Sequence, residues 1–314
     1  MGKIAFIFPG QGSQSVGMGK DLHDRYNEVK NYFQLADQRL GFSLSSLIFE
    51  GPQEELTLTE NTQPALLTTS IALLQKLKDE GISPDYTAGH SLGEYSALVA
   101  SEAISFEDGV YAVRKRGEYM EEAVPAGEGT MAAVLGLERE SLQQITETIT
   151  KKGNSVQLAN INCPGQIVIS GTVNGVEEAS SAAKEAGAKR VIPLQVSGPF
   201  HSQLMKPAAE KFSGVLNEIS IGEARVPVIA NVSGEPMTDA EEIKRNLIEQ
   251  LYSPVLWEDT VNKLLDLEVD TFVEIGPGKV LSGLVKKVNR RVKTYSVQDE
   301  ETLQDTITRL RGGE

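Results

Sequence analysis

The sequence predicts an α/β protein in two parts, a large body on a parallel sheet and a small inserted unit with its own antiparallel order. Three observations carry this. Ile4-Ala5-Phe6-Ile7-Phe8 is a continuous apolar run, as expected of a strand buried on both faces of a parallel sheet. A second short strand ends at Thr87-Ala88 in a Gly-rich turn and runs straight into helix-prone sequence. Between about 127 and 196 the pattern becomes strand, helix, strand, strand, helix, strand, which is the ferredoxin-like order.

The first strand leads into Pro9-Gly10-Gln11-Gly12-Ser13-Gln14. Two phosphate motifs fail here. A dinucleotide fingerprint needs a third glycine where Ser15 stands, and a P-loop needs Ser or Thr after Gly19-Lys20, where Asp21 stands. Helical patterns follow at about 20–40, at about 62–80 after Asn61-Thr62, and at about 106–124. Pro125-Ala126-Gly127-Glu128-Gly129 then reads as a boundary. Beyond it come strand Thr130–Leu137, helix 138–152, strands Val156–Asn162 and Gln166–Gly171 split by Cys163-Pro164-Gly165, helix Val173–Gly187 and strand Lys189–Val196. The large body resumes with strand-like Val226–Asn231 and with Thr271–Ile275, which ends in Gly276-Pro277-Gly278. The expected division is a large subdomain over 1–126 and 197–314, and a small ferredoxin-like subdomain over 127–196.

Chemistry enters at Gly89-His90-Ser91-Leu92-Gly93, between the second strand and the helix-prone run Glu94–Ala100. In that context Gly-x-Ser-x-Gly forms a nucleophile elbow, as in α/β-hydrolase-like folds. The turn strains the serine backbone and leaves no room for side chains two residues to either side. The hydroxyl stands at the top of the strand, and the Leu92 N–H faces the same space as half of an oxyanion hole. Gln11, on the loop after the first strand, is the candidate second donor. The predicted chemistry is acyl transfer through an acyl-serine.

Such a serine needs a base, usually histidine, and the chain has three: His23, His90 and His201. His90 abuts Ser91 in the turn, where neighbouring side chains diverge. His23, in Asp21-Leu22-His23-Asp24-Arg25, reads as a solvated surface residue. His201 remains, on the rigid Gly198-Pro199-Phe200-His201 loop that follows the insert. Ser91 and His201 thus both belong to the large body, which puts the site in the cleft between the two parts.

Helix 106–124 offers a handle for a substrate anion. Val110, Val113, Gly117, Met120 and Val124 form its inward stripe, Lys115 points away, and Arg114 and Arg116 flank the stripe equally. A half-buried arginine needs an anion, and a substrate carboxylate suits its planar fork. Periodicity does not choose between the two arginines, nor between a substrate and a structural ion pair.

Composition excludes several classes. Hydrophobic content of 40% and charged content of 24% are ordinary for a globular chain, and no apolar run nears the ~20 residues of a membrane span. The single Cys163 rules out an intrachain disulfide and suits the reducing cytoplasm. There is no Cys/His cluster with metal-ligand spacing. A net charge of −14 disfavours nucleic acid and anionic membranes. Against that background Lys286, Lys287, Arg290, Arg291 and Lys293 form a basic run without an acid, readable as a solvated helix face or as a dock for an acidic partner.

Together, Phe8-Pro9-Gly10-Gln11-Gly12-Ser13-Gln14, Thr62-Gln63-Pro64-Ala65, the elbow with Glu94-Tyr95, Arg116-Gly117, Asn160 to Gly171, Gly198-Pro199-Phe200-His201-Ser202, Gln250-Leu251-Tyr252 and Glu274-Ile275-Gly276-Pro277-Gly278 resemble bacterial-type malonyl-CoA:acyl carrier protein transacylases, relatives of polyketide acyltransferase domains. The resemblance runs end to end. It implies Ser91 as nucleophile, His201 as base, Gln11 and Leu92 as oxyanion donors, and Arg116 rather than Arg114 as partner of the malonyl carboxylate. It further implies that the Gln250 backbone carbonyl orients the histidine in place of a triad acid, and that Phe200 marks the malonyl-selecting form of its loop. The expected partners are malonyl-CoA and an acidic acyl carrier protein, with Lys286, Lys287, Arg290 and Arg291 as its dock and no cofactor. A thioesterase would share Ser91 and His201 but has no need of the arginine.

Overall fold

The apolar run near the N-terminus becomes the centre of the main sheet because only a strand covered on both faces can bury Ala5, Phe6, Ile7 and Phe8 completely. The computed structural model describes residues 2–125 and 127–312, so Ala126 of the expected boundary lies outside the described residues. The strands are β1 (Lys3–Phe8), β2 (Tyr86–Gly89), β3 (Gly129–Leu135), β4 (Val156–Cys163), β5 (Gln166–Thr172), β6 (Arg190–Pro193), β7 (Val228–Ile229), β8 (Pro236–Met237), β9 (Val269–Ile275) and β10 (Lys293–Val297).

The main sheet has the order β10-β9-β1-β2-β7-β8. Its first five strands are parallel and β8 returns antiparallel at one edge. The second sheet has the order β4-β5-β3-β6 with every pairing antiparallel, as the ferredoxin-like pattern requires. Helices Arg139–Lys151 and Val173–Glu185 cover it, and Leu142, Ile149, Val176 and Ala179 close a core with Val134, Leu158 and Ile169. Strand β4 is an edge of this sheet, and its free side is not left open. Val255 of the large body bridges it, with Val255 N–H donating to the Ala159 carbonyl at 2.8 Å and Ile161 N–H to the Val255 carbonyl at 2.9 Å.

Four local expectations need correction. The helix expected over 20–40 is two helices, Lys20–Arg25 and Asn27–Leu40, because Tyr26 is extended (φ −121°, ψ 120°). That conformation lays its ring 4.2 Å from Lys76 Nζ and lets its hydroxyl reach Glu300 at 3.0 Å. The helix expected from 62 begins at Thr59 and carries Pro64 inside it. Proline has no N–H to give the turn behind it, and the Glu60 carbonyl accepts instead from the Arg114 guanidinium at 3.1 Å. The strand expected to Val196 stops at Pro193, and the one expected over 226–231 keeps only Val228–Ile229. Past β6, Leu194 and Val196 turn to line the cleft between the sheets, whereas past β7 the chain turns at the buried Ala230, whose N–H pairs with the Glu235 carbonyl at 3.0 Å. Among the described residues, no helix is long and apolar enough to cross a membrane.

Helix Phe106–Glu122 crosses the start of helix Thr59–Asp79 at Gly117. A Cβ there would lie 2.7 Å from the Glu60 Cα, so only glycine permits the approach. The crossing drives the neighbouring Arg116 under the end of β2.

Candidate active site

The turn after β2 has the geometry of an elbow. Ser91 sits at φ 52°, in the left-handed region that side chains seldom adopt. A Cβ on Gly89 would lie 1.9 Å from the Gly93 carbonyl carbon, and one on Gly93 would lie 2.0 Å from the Phe8 oxygen. The helix Gly93–Ala100 starts at once and carries the chain away from the serine. Asn231, just past β7, braces the strained peptide. Its Oδ1 accepts from the Ser91 N–H at 2.8 Å, and its Nδ2 donates to the Gly89 carbonyl at 2.7 Å.

Ser91 Oγ lies 2.7 Å from His201 Nε2. On the far side of the ring, His201 Nδ1 lies 2.8 Å from the Gln250 carbonyl oxygen. A carbonyl only accepts, so Nδ1 carries the proton and Nε2 presents its lone pair to the serine hydroxyl. His201 is itself at φ 58°, a second strained residue that the sequence does not announce. The loop is closed by Ser202, whose hydroxyl donates to the Pro199 carbonyl at 2.6 Å. Burial, then the nearby Arg116 charge, push the His201 pKa down to about 3, so its ring is neutral near pH 7.

Neither of the other two histidines meets the serine, although His90 lines the same cavity. His90 Nε2 pairs with Asn162 Oδ1 at 2.8 Å and its ring lies 5.8 Å from Trp257, turned from the serine. His23 is not the solvated residue that its polar neighbours suggest. It packs on Phe33 and Phe49, with ring centroids 5.4 and 4.6 Å away, and keeps one nitrogen on Asp24 at 2.9 Å.

Arg116 and Arg114, equivalent on the helical wheel, have opposite surroundings. Arg114 is saturated by local partners: Glu118 at 2.7 Å, Glu60 at 3.2 Å and Asn61 at 2.5 Å. Arg116 is 1% exposed and reaches the serine. Its guanidinium donates to Gln63 Oε1 at 2.8 Å, to Gln250 Oε1 at 2.9 Å and to Ser91 Oγ at 3.1 Å, over the Tyr95 ring. Its Nε has no partner among the described residues. None of its direct partners is a carboxylate. The balancing charge is one residue removed, since Gln250 Nε2 donates to Glu94 Oε2 at 2.5 Å. Glu94 is wholly buried, and that burial pushes its pKa up to about 7 against the pull of Gln250, Asn231 and Arg116.

The pair opens into a cavity of about 230 Å³ in the cleft. One wall comes from Gln11, Leu92, Phe200 and Leu281 around the main sheet, the other from Met131, Asn160 and Val168 of the small sheet and from Val196, past the end of β6. Gln11 and Leu92 both line it, and among the described residues neither backbone N–H has an acceptor. Two free N–H donors beside a serine hydroxyl can hold the oxygen of a tetrahedral adduct.

Only part of the basic run is a helix face. Helix Val280–Val288 ends before Arg290, and Arg290 and Arg291 are exposed on the following turn. Lys286 folds back onto the carbonyls of Arg290 and Val292 and so fastens the turn. Lys287 is exposed and donates to Gln166 Oε1 at 2.7 Å, at the rim of the cavity.

Sequence reasoning did not single out Gln63, Glu94, Asn231 or Asn162 for the site. Gln63 and Glu94 sit inside motifs whose apolar neighbours demand burial, which is a usable signal. Asn231 and Asn162 carry none that is local.

A part-buried serine on a buried histidine, with free N–H donors beside them on an elbow between two sheets, is the apparatus of acyl-group chemistry. The acyl transferase domain family model accordingly matches residues 5–304. The chain belongs to the malonyl CoA-acyl carrier protein transacylase branch of that family. The transacylase of Bacillus subtilis (strain 168) is 66% identical over 311 residues, 99% of this chain and 98% of that protein. That of Staphylococcus aureus (strain MRSA252) is 50% identical over 305 residues, 97% of each. An acyl carrier protein S-malonyltransferase from Vibrio cholerae O1 superposes with a TM-score of 0.95 at 44% identity, covering 97% of this chain and 99% of that one. A malonyl-transacylase in complex with its type II polyketide acyl carrier protein also has a TM-score of 0.95, at 42% identity over 98% and 99% of the two chains.

Proposed function

We propose that the protein moves the malonyl group from malonyl-CoA to the phosphopantetheine thiol of an acyl carrier protein, supplying fatty acid elongation in the cytoplasm, by a ping-pong route through malonyl-Ser91. The observation that carries this reading is Arg116, a buried guanidinium 3.1 Å from Ser91 Oγ with no direct carboxylate partner. A buried charge whose balancing carboxylate, Glu94, is held only through Gln250 is costly to leave without a direct partner, and a substrate whose acyl group ends in a carboxylate supplies that partner. The names of the relatives point to the same substrate.

In this reading Ser91 Oγ attacks the thioester carbonyl while its proton passes to His201 Nε2. The Gln11 and Leu92 N–H groups hold the oxyanion, and the Gln250 carbonyl steadies the imidazolium. Collapse breaks the C–S bond, and the CoA sulfur leaves with the proton from His201. The carrier thiol then gives its proton to His201, its sulfur attacks the ester, and the proton returns to Ser91 Oγ. No step needs a metal or redox group. The division into 1–126 with 197–314 and 127–196 is part of this proposal, since each part supplies one wall of the cleft. Incubation with malonyl-CoA followed by peptide mapping should place the added malonyl mass on the Ser91 peptide, and in a form that an acceptor thiol discharges. Discharge by water as fast as by thiol would make the protein a thioesterase.

Arg116→Ala should lower kcat/KM for malonyl-CoA about 10- to 100-fold, the loss of a charge-assisted contact of roughly 1.5–3 kcal/mol. Acetyl-CoA, which has no carboxylate, should suffer far less. Equal losses for both thioesters would make Arg116 a structural residue.

Lys287, Arg290 and Arg291 remain the proposed dock for the acidic carrier, with Lys286 in the supporting role of holding the turn. Charge reversal at Arg290 and Arg291 should raise the carrier KM, an effect fading with salt because exposed charges are screened over ~10 Å at 0.1 M. Loading of Ser91 from malonyl-CoA should not change. A loss confined to loading would assign the run to CoA instead.

A further inference from the structure

Two segments meet at the catalytic imidazole: the His201 loop, and the chain after helix Ala240–Gln250 that supplies the Gln250 carbonyl. Their relative placement sets the ring, because a shift of either moves Nε2 off the serine. They have no main-chain hydrogen bond to each other among the described residues. Besides the His201 ring on the Gln250 carbonyl, Gln203 Nε2 donates to the Tyr252 carbonyl at 3.4 Å, and one further side chain, from the other sheet, holds both segments at once. Gln157 of β4 donates from Nε2 to the His201 carbonyl at 3.1 Å and to the Tyr252 carbonyl at 3.3 Å. Its Oε1 accepts from the Gln203 N–H at 3.0 Å. The orientation of the amide is fixed by these partners, since two carbonyls require the NH2 and a backbone N–H requires the oxygen.

We infer that Gln157 is a positioning residue for the reaction: its amide ties the His201 loop to the Gln250–Tyr252 segment and so aims the base at Ser91. The inference rests on His201 being the base. The carbonyl that Gln157 holds belongs to the left-handed His201 itself, whose φ of 58° needs restraint from its surroundings. The strand that carries Gln157 is fastened to the same segment three residues further on, through Ala159, Ile161 and Val255. The small sheet therefore does more than wall the cleft. It reaches behind the histidine and sets its register.

Two variants test this. Gln157→Met keeps the length and loses every hydrogen bond. Gln157→Glu keeps the shape and one acceptor, but sets a carboxylate oxygen against two carbonyl oxygens. For Gln157→Met the rate constant of Ser91 acylation by malonyl-CoA should fall about 10-fold with KM changed less than about 2-fold, as loss of alignment predicts. Gln157→Glu should be as slow or slower at pH 8. As pH is lowered toward 5 its carboxyl gains a proton, which restores one O–H donor. The rate of Gln157→Glu relative to Gln157→Met should then rise by about 3-fold or more, while a merely structural residue would leave that ratio flat. If thermal melting shows Gln157→Met unfolded, the ratio of Gln157→Glu to the parent protein carries the same test. Parent-like acylation by Gln157→Met, a change in KM alone, or a flat ratio would overturn the inference. A His201→Ala variant that stays active would instead remove the reading beneath it.

Discussion

Ser91→Ala should reduce malonyl transfer on the order of 10⁴-fold or more and abolish the acyl-protein, because nothing else in the cleft can supply the attacking oxygen. Ser13 also lines the cavity but makes no hydrogen bond to His201 among the described residues, and Ser202 and Ser197 are tied to the Pro199 carbonyl and to Glu121 and Thr59. The substitution keeps the elbow intact: alanine tolerates the same φ no worse than serine, and the Asn231 bond to the residue-91 N–H does not involve the side chain. A folded variant with no acyl-protein is therefore the expected pair of results, read by thermal melting and intact mass. Transfer within about ten-fold of the parent would mean that the acyl group never rests on this serine.

His201→Ala should cost a comparable factor, on the order of 10⁴-fold, since a serine at its ordinary pKa is a weak nucleophile without its base. His90→Ala should cost less than about 10-fold, because its ring is spent on Asn162 and Trp257. The reverse order of severity would show that the wrong histidine has been assigned. The pH dependence gives a second check. A histidine whose pKa is depressed stays neutral, and so fit to accept a proton, well below the ordinary histidine value of about 6.5. The acid limb of kcat/KM due to His201 should accordingly lie below pH 6. A limb at the ordinary value that disappears in His201→Ala would mean that the ring is far better solvated than its 3% exposure allows.

The elbow was legible in the sequence because everything that makes it is local. Two glycines, a strand before and a helix after all fall between Tyr86 and Ala100, and the steric demand acts on immediate neighbours. The ferredoxin-like unit was legible for a similar reason, each of its elements showing its own period. What was not legible depends on crossings. The helical wheel leaves Arg114 and Arg116 equivalent, and only the close approach at Gly117 and the carbonyl left free by Pro64 separate them. Gln250 serves the site twice, by its carbonyl to His201 and by its amide to Glu94; only the family resemblance gave the first role, since a main-chain role leaves no trace in residue type, and nothing gave the second. His23 misled because its neighbours in sequence are polar while its neighbours in space are Phe33 and Phe49. The short β6 misled because apolar residues that line a cavity look, in sequence, like residues that line a core, and the short β7 because the chain turns at Ala230 while staying buried.

The bridge between Val255 and β4 bears on how the molecule must move. A unit hung on two nearby chain connections would swing like a door, and a door would open and shut once for each of the two thioesters. Main-chain bonds on the opposite edge turn the hinge into a mount fixed on both sides. The cleft is then a slot of set width, and in the proposed route the acyl donor and the acceptor must each thread a thin pantetheine arm into it and withdraw. Amide exchange at Val255 and Ile161 should be as slow with the slot empty as with Ser91 acylated. In the proposed route the pause between half-reactions then belongs to the traffic of arms through the mouth.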